Sequence, residues 1–266
     1  MSQLAPSLRA TDVVRTAARR PDLLTYGRLD LRRQLRDRIG MFFIVGLPTF
    51  MFLVFGLGSD EAVGSGNVAM YVMISMAAYG AVTATTGVAG SAATEQVMGW
   101  GRQLGLTPMR PLGFVATKAA IAMVVALMPV TLIFAIGALT GARGSATDWV
   151  LAAVLVWLGS ALFAIYGLAM SLVFRGPNAT GIASGMIVIL AFLGNVFTPM
   201  SGLLLDLGRL TPLYGYAALA RFPLTEGYLP SGGRDPLWLP VANVIAWTTI
   251  FSLLALWGVR RSRARV

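Results

Sequence analysis

The sequence predicts an all-α integral membrane protein with six transmembrane helices, and three observations lead to this fold class. The chain of 266 residues is 56% hydrophobic and only 12% charged, whereas ordinary soluble domains carry about 25% charged residues. Six stretches are apolar enough to cross a bilayer, which takes about 20 residues per helix. No long polar block remains to form a soluble domain, and six buried helices of a soluble protein would lack the polar surface to cover them.

The predicted spans divide the chain into three parts. Residues 1–40 form a cytoplasmic tail and an amphipathic helix, residues 41–259 form a single transmembrane domain, and residues 260–266 form a basic cytoplasmic tail. We see no cleavable signal peptide, so the first span is expected to act as its own insertion signal. The six spans cover residues 41–58, 68–92, 112–139, 149–174, 179–199 and 240–259.

The distribution of arginine predicts the orientation. Basic residues crowd the N-terminal 40 residues, the 93–111 loop, the 175–178 turn and the C-terminus, while the loop after the first span carries only Asp60 and Glu61. Cytoplasmic loops are enriched in Lys and Arg, so both termini, the 93–111 loop and the 175–178 turn are expected in the cytoplasm. The net charge of +10 therefore indicates contact with lipid headgroups, not nucleic acid. The preference for Arg over Lys is typical of a GC-rich bacterial genome, which predicts the bacterial cytoplasmic membrane.

Residues 22–40 predict an interfacial helix that enters the first span. Leu24, Leu31, Leu35 and Ile39 fall near one face. The alternative is a plain basic flank that only sets the topology. The basic face of the predicted helix consists of Arg28, Arg32, Arg33, Arg36 and Arg38.

The segment 200–239 is too apolar for a solvated loop and too broken by Pro and Gly for another span. Non-helical backbone at membrane depth is tolerated only against protein or a water-filled cavity. We therefore expect a re-entrant pair of short helices on the outer side, between spans five and six.

The residue types that are missing exclude most enzymatic functions. The chain has no Cys and no His, which removes the common zinc sites, and no P-loop motif with which it could bind a nucleotide. We predict no catalytic residue, no metal site and no cofactor of its own. Lys118 is expected to reach the headgroups by snorkelling, with an intramembrane Ser–Lys hydrolase as a remote alternative.

Hydroxyl and amide side chains within the spans are candidates for a cargo path. Thr83 and Thr86 lie in the second span, and Asn195 and Thr198 lie late in the fifth. Such a lining suits an amphipathic or apolar cargo. The alternative is that these side chains bond to carbonyls of their own helix, as Ser and Thr often do in spans.

The stretch between the second and third spans carries a polar motif of the form E-x-x-x-G-x-x-x-x-L-x-x-T-P. With this motif, the six spans, the amphipathic N-terminal helix and the broken segment around 197–199 and 210–213, the chain resembles the ABC-2 type membrane subunits of ATP-binding cassette exporters, including drug-resistance exporters. Gln96 and Val97 depart from the charged pair that the family usually has beside the Glu. The motif residues are Glu95, Gly99, Leu104, Thr107 and Pro108, with Arg102 before the Leu.

The resemblance implies a permease subunit of an ATP-driven exporter, with ATP and Mg²⁺ bound by a separate ABC ATPase subunit. The motif residues and the 22–40 helix would contact that ATPase, and a second permease copy, identical or different, would complete a dimer. The expected cargo is a hydrophobic or amphipathic, drug-like small molecule. Export of a lipid or polysaccharide is the nearest alternative, and a non-transporting membrane scaffold or sensor is a more distant one.

Overall fold

The computed structural model describes residues 23–95, 111–174 and 176–263. Within these ranges the chain is a bundle of α-helices with a two-residue β-hairpin, β1 (Ala62–Val63) and β2 (Gly66–Asn67). The helices, in chain order, are α1 (Leu23–Arg36), α2 (Arg38–Met41), α3 (Leu47–Gly56), α4 (Val68–Glu95), α5 (Pro111–Leu139), α6 (Ala146–Gly159), α7 (Ala161–Phe174), α8 (Ala179–Leu193), α9 (Gly202–Arg209), α10 (Pro212–Thr225) and α11 (Trp238–Arg263).

Five helical stretches of the described chain are long and apolar enough to cross a membrane, which confirms an all-α membrane protein. They are Arg38–Gly56, Val68–Ala92, Val115–Leu139, Ala146–Phe174 and Trp238–Arg261. Helix α8, in the fifth predicted span, has only 15 residues, about 22 Å at 1.5 Å per residue. It ends early because Gly194 and Asn195 turn the chain, and Asn195 has a left-handed φ of 57°.

The long helices run alternately between two ends of the bundle. At the first, which we call the basic end, α1 meets the last residue of α4 and the second turn of α5. At the second, which we call the hairpin end, the β-hairpin meets the loop before α6, and α9 and α10 meet the start of α11. Large apolar side chains remain exposed around the bundle, as expected of a surface that contacts lipid: Phe50, Phe55, Leu132, Val150, Ile189, Ile245 and Leu253.

Helix α4 is the centre of the bundle. In its most apolar stretch 83% of the residues are buried, and α5 and α7 pack along it. Small residues allow this close approach: a Cβ on Gly167 of α7 would collide with the carbonyl oxygen of Thr86, and one on Gly80 would lie 2.7 Å from Pro129 Cβ. The second predicted span therefore forms the core, because its many Ala and Gly residues leave room for neighbours on all sides.

The first span begins at a break in the N-terminal helix. Asp37 has an extended backbone and its Oδ1 accepts a hydrogen bond from Gly40 N, which starts a new helix at Arg38. A π-helical turn follows at Phe42–Gly46, directly before Pro48. Proline has no N–H to donate and its ring crowds the carbonyl four residues earlier, so a wider turn is accommodated there. Helix α1, which the sequence predicts to be interfacial, and the first span are thus separate helices joined by a short bend.

The hairpin end has the two short helices that the sequence predicts between spans five and six. Thr211 caps the start of α10, accepting a hydrogen bond from Tyr214 N at its side-chain oxygen, and the helix ends at Glu226, whose φ is 51°. Two side chains of α11 fasten the turn between α9 and α10. Asn243 Nδ2 donates to the Arg209 carbonyl at 2.8 Å, and Trp247 Nε1 donates to the Leu210 carbonyl at 2.9 Å.

Candidate functional site

Three helices bring four charged side chains together at the basic end. Asp30 and Arg33 lie on α1, Glu95 is the last residue of α4, and Lys118 lies in the second turn of α5. Asp30 and Arg33 are three residues apart, so they lie on neighbouring parts of the α1 surface. Gly27, one turn before Asp30, lets α1 approach α5, since a Cβ there would lie 3.3 Å from Thr117 Cγ2. We call these four residues the Lys118 cluster.

The ammonium group of Lys118 bridges the two carboxylates. Lys118 Nζ lies 2.9 Å from Asp30 Oδ2 and 3.0 Å from Glu95 Oε2, and Arg33 Nη1 lies 3.1 Å from Glu95 Oε1. The side chains of Lys118, Asp30 and Glu95 are 1%, 5% and 12% exposed, whereas that of Arg33 is 65% exposed. The site is therefore a buried ion network in which Arg33 alone is largely exposed at the surface of the chain.

Two acidic and two basic groups balance the charge of the Lys118 cluster. A buried charge that loses its partner is strongly destabilising, so each helix of the cluster is held by the other two. Tyr26, one turn before Asp30, is affected by the same surroundings. Burial raises the pKa of its hydroxyl above the usual range, and the negative charges of Asp30 and Glu95 raise it further. The phenol is therefore neutral at physiological pH.

The expectation that Lys118 snorkels to the headgroups is wrong. Its side chain is 1% exposed and pairs with Asp30 and Glu95. Snorkelling needs a path to water along an apolar surface, and here α1 covers that path and supplies a carboxylate. The expectation failed because Asp30, the acidic residue within the basic α1, lies 88 positions away in sequence.

The structure describes only part of the predicted ATPase-coupling stretch. Glu95 belongs to the Lys118 cluster. On α1, Arg33 also belongs to the cluster, while Arg28, Arg32 and Arg36 are exposed. The other predicted coupling residues lie outside the described residues: Gly99, Arg102, Leu104, Thr107 and Pro108.

The four predicted cargo-path residues have different surroundings. Thr83 Oγ1 donates to the Tyr79 carbonyl of its own helix at 2.8 Å, and the buried Thr86 donates to the Phe163 carbonyl of α7 at 3.4 Å. Asn195 is 1% exposed and its Oδ1 accepts from Met200 N, so it organises the turn after α8. Thr198 is exposed. Their role in cargo contact remains a prediction.

A second polar site, which the sequence analysis missed, lies at the hairpin end. Arg221 of α10 is 3% exposed and donates to Tyr71 Oη at 2.7 Å and to the Asn195 carbonyl at 2.8 Å. Asp235, before α11, is 4% exposed; it accepts from Arg209 Nη2 at 2.7 Å and from the Tyr214 hydroxyl. The sequence did contain a signal for this site, because Arg221 lies in an apolar segment and ionisable residues within such segments usually have a function.

Comparison with known proteins supports the membrane character of the chain. No family model matches it. The chain is similar to a protein of Bacillus subtilis (strain 168) named "Putative transport permease YvfS", with 24% identity over 174 residues, which covers 64% of this chain and 68% of that protein. In the parts of the chain that the structure describes, no three potential metal ligands come together. The relative and the apolar helices together support a multi-pass membrane transport permease.

Proposed function

We propose that this chain is the membrane subunit of an ATP-driven ABC exporter and that the Lys118 cluster couples a separate ATPase to the spans. The observation that carries the proposal is the position of Glu95. It is the first residue of the motif that resembles the exporter family, and it is held by Lys118 of α5 and Arg33 of α1. A displacement of the stretch that begins at Glu95 would therefore be transmitted to α1, α4 and α5 together.

The proposed topology has six spans, with the basic end in the cytoplasm. Helix α8 would cross the membrane in addition to the five longer spans, as the fifth span in chain order. It begins at the basic end, where Thr180 Oγ1 lies 3.4 Å from Ser171 Oγ, and leads to the hairpin end, where the Asn195 carbonyl accepts a hydrogen bond from Arg221. The exposed arginines of α1 would face anionic headgroups. Helices α9 and α10 would form the re-entrant hairpin on the outer side. The polar groups of Arg221 and Asp235 would be tolerated there because their hydrogen bonds are made within the protein.

The proposed mechanism is a mechanical coupling between two sites. ATP and Mg²⁺ would be held by the ATPase, whose closure would move α1 and the segment after Glu95. Because the buried ion pairs of the Lys118 cluster resist separation, α1, α4 and α5 would move at this end as a unit. Helix α4 has 28 residues, about 42 Å at 1.5 Å per residue, so it would carry this movement to the hairpin end.

The proposed cargo is a hydrophobic or amphipathic small molecule, moved between two permease copies. Short loops at the hairpin end and the apolar composition of the spans support this cargo class. In the same liposomes, ATP-dependent movement of a fluorescently labelled lipid or polysaccharide, without movement of the dyes, would indicate the alternative cargo.

The test begins with association. The chain is co-expressed with the P-loop ATPase encoded nearest to it, purified by a tag on the chain, and reconstituted into liposomes. We expect the ATPase to co-purify, its hydrolysis rate to rise on reconstitution with the chain, and amphipathic fluorescent dyes to move only when ATP is hydrolysed. An ATPase that neither co-purifies nor changes its turnover would contradict the proposal.

A further inference from the structure

We propose that Arg221 is a latch that holds the hairpin end of α4 closed against the α9–α10 hairpin. The proposal rests on the proposed function in one respect, namely that a permease must open at this end to release cargo. Its evidence comes from the hairpin end alone, from hydrogen bonds, burial and charge that the Lys118 cluster does not share.

The guanidinium of Arg221 joins three segments of the chain. Its Nη1 donates to Tyr71 Oη at 2.7 Å and to Ser75 Oγ at 3.4 Å on α4, and to the Asn195 carbonyl at 2.8 Å in the turn after α8. The guanidinium carbon lies 4.7 Å from the centre of the Tyr71 ring, within the range of a cation–π contact. Separation of α4 from α10 must break the contacts with Tyr71 and Ser75.

All acceptors of this buried cation are neutral. Among the described residues, no carboxylate oxygen lies within 4.0 Å of the Arg221 guanidinium, although its side chain is only 3% exposed. Arginine remains charged in proteins, and a buried charge normally has an ionic partner. An arginine with a purely structural role would be expected to pair with a carboxylate. Hydrogen bonds to neutral acceptors are weaker than such an ion pair, which indicates a contact that is made and broken.

A small cavity lies next to Arg221. The cavity has a volume of about 20 Å³ and is lined by Tyr71, Arg221, Thr225, Tyr228 and Asp235, among others. This volume accommodates about one water molecule. The Nη2 group of Arg221 has no hydrogen-bond acceptor among the described residues. The guanidinium therefore borders a space from which water can reach it when its contacts with α4 break.

The chain lacks cysteine, so a single introduced thiol can report on the latch. We choose Thr225→Cys, because Thr225 is 5% exposed and lines the cavity. The purified chain in detergent, without any ATPase, is labelled with a polar maleimide in this background, alone and combined with Arg221→Gln, Tyr71→Phe or Arg143→Gln. Arg143 is the matched control, since it also lies at the hairpin end but is 72% exposed.

We expect Arg221→Gln to raise the labelling rate of the introduced thiol about tenfold or more, the factor that corresponds to about 1.4 kcal/mol. Tyr71→Phe removes one acceptor and keeps the ring, so we expect a smaller rise of at least about threefold, given the modest net contribution of one typical hydrogen bond. Arg143→Gln should leave the rate unchanged.

Equal labelling rates in the Arg221→Gln variant and its parent, below the unfolding temperature of both, would overturn the latch, and a lowered unfolding temperature without faster labelling would show a merely structural role. If Arg221→Gln does not fold, the Tyr71→Phe variant decides by the same criterion. Because no ATPase is present, failure of the latch leaves the proposed function untouched, and absence of an associated ATPase leaves the labelling result interpretable.

Discussion

The Lys118 cluster makes a sharp prediction about the consequence of removing its central charge. In a Lys118→Met variant the stem of the side chain is retained but the ammonium group is lost. Glu95 keeps its ion pair with Arg33 at 3.1 Å, whereas Asp30, only 5% exposed, loses the amine that lies 2.9 Å from its Oδ2. The variant therefore leaves one buried carboxylate without its ionic partner.

The expected cost follows from burial. Removal of one member of a buried ion pair destabilises by about 3–5 kcal/mol, and we expect the Lys118→Met variant to lose that much free energy of unfolding. Arg143→Met is the control: Arg143 and Asp60 are 3.7 Å apart and 72% and 67% exposed, and such surface pairs contribute about 0–1 kcal/mol. The ion pairs removed by the two variants differ in burial, and the difference between the two losses of unfolding free energy measures the effect of that burial.

The assay is equilibrium unfolding in mixed micelles, followed by tryptophan fluorescence, with a double-mutant cycle. Once Asp30→Asn has removed the stranded charge, Lys118→Met should cost less, so the double variant should be more stable than the sum of the single costs by about 1–3 kcal/mol. Costs that add within about 0.5 kcal/mol, or a Lys118→Met cost no larger than that of Arg143→Met, would refute the reasoning.

Two further predictions concern packing and lipid. A Gly167→Ala variant should lose about 1–3 kcal/mol of stability through overpacking, because its Cβ would collide with the Thr86 carbonyl. In the control Gly181→Ala the new Cβ meets open space, so this variant should be as stable as the native chain or gain up to about 1 kcal/mol. Equal unfolding midpoints for the two variants would contradict the close packing of α4 and α7. Replacement of Arg28, Arg32 and Arg36 by Gln should lower the extra stability that anionic lipids give the chain in nanodiscs, since each arginine near an anionic surface contributes about 1 kcal/mol. An unchanged difference in stability between anionic and zwitterionic nanodiscs would argue against α1 as a lipid-facing helix.

The long apolar runs made much of the fold predictable. The predicted span 68–92 lies within α4 (Val68–Glu95), and 112–139 lies within α5 (Pro111–Leu139), because a run of that length and composition has few alternatives to a spanning helix. The fifth span was harder to predict. Its apolar composition continues to residue 199, but α8 ends at Leu193 where Asn195 adopts a left-handed conformation, and hydropathy does not register such a turn.

The candidate sites were predictable only in part. Glu95 was singled out from the motif, but its partner Lys118 was expected at the headgroups and Asp30 was not considered. Ion pairs that join residues 23 and 88 positions apart depend on helix packing, which spacing along one helix does not encode. Arg221 was missed for a similar reason, since its hydrogen-bond acceptors on α4 lie 146 and 150 positions away.

The central claim is that Glu95 and its ion pairs couple a partner ATPase to the spans, and one ratio tests it most directly. In liposomes that contain the chain and its ATPase, the number of dye molecules moved per ATP hydrolysed is compared for the native chain, Glu95→Gln and the exposed control Asp60→Asn. We predict that Glu95→Gln retains the ATPase but lowers this ratio at least about tenfold, equivalent to about 1.4 kcal/mol of coupling, while Asp60→Asn leaves it unchanged. An unchanged ratio in the Glu95→Gln variant would contradict the claim.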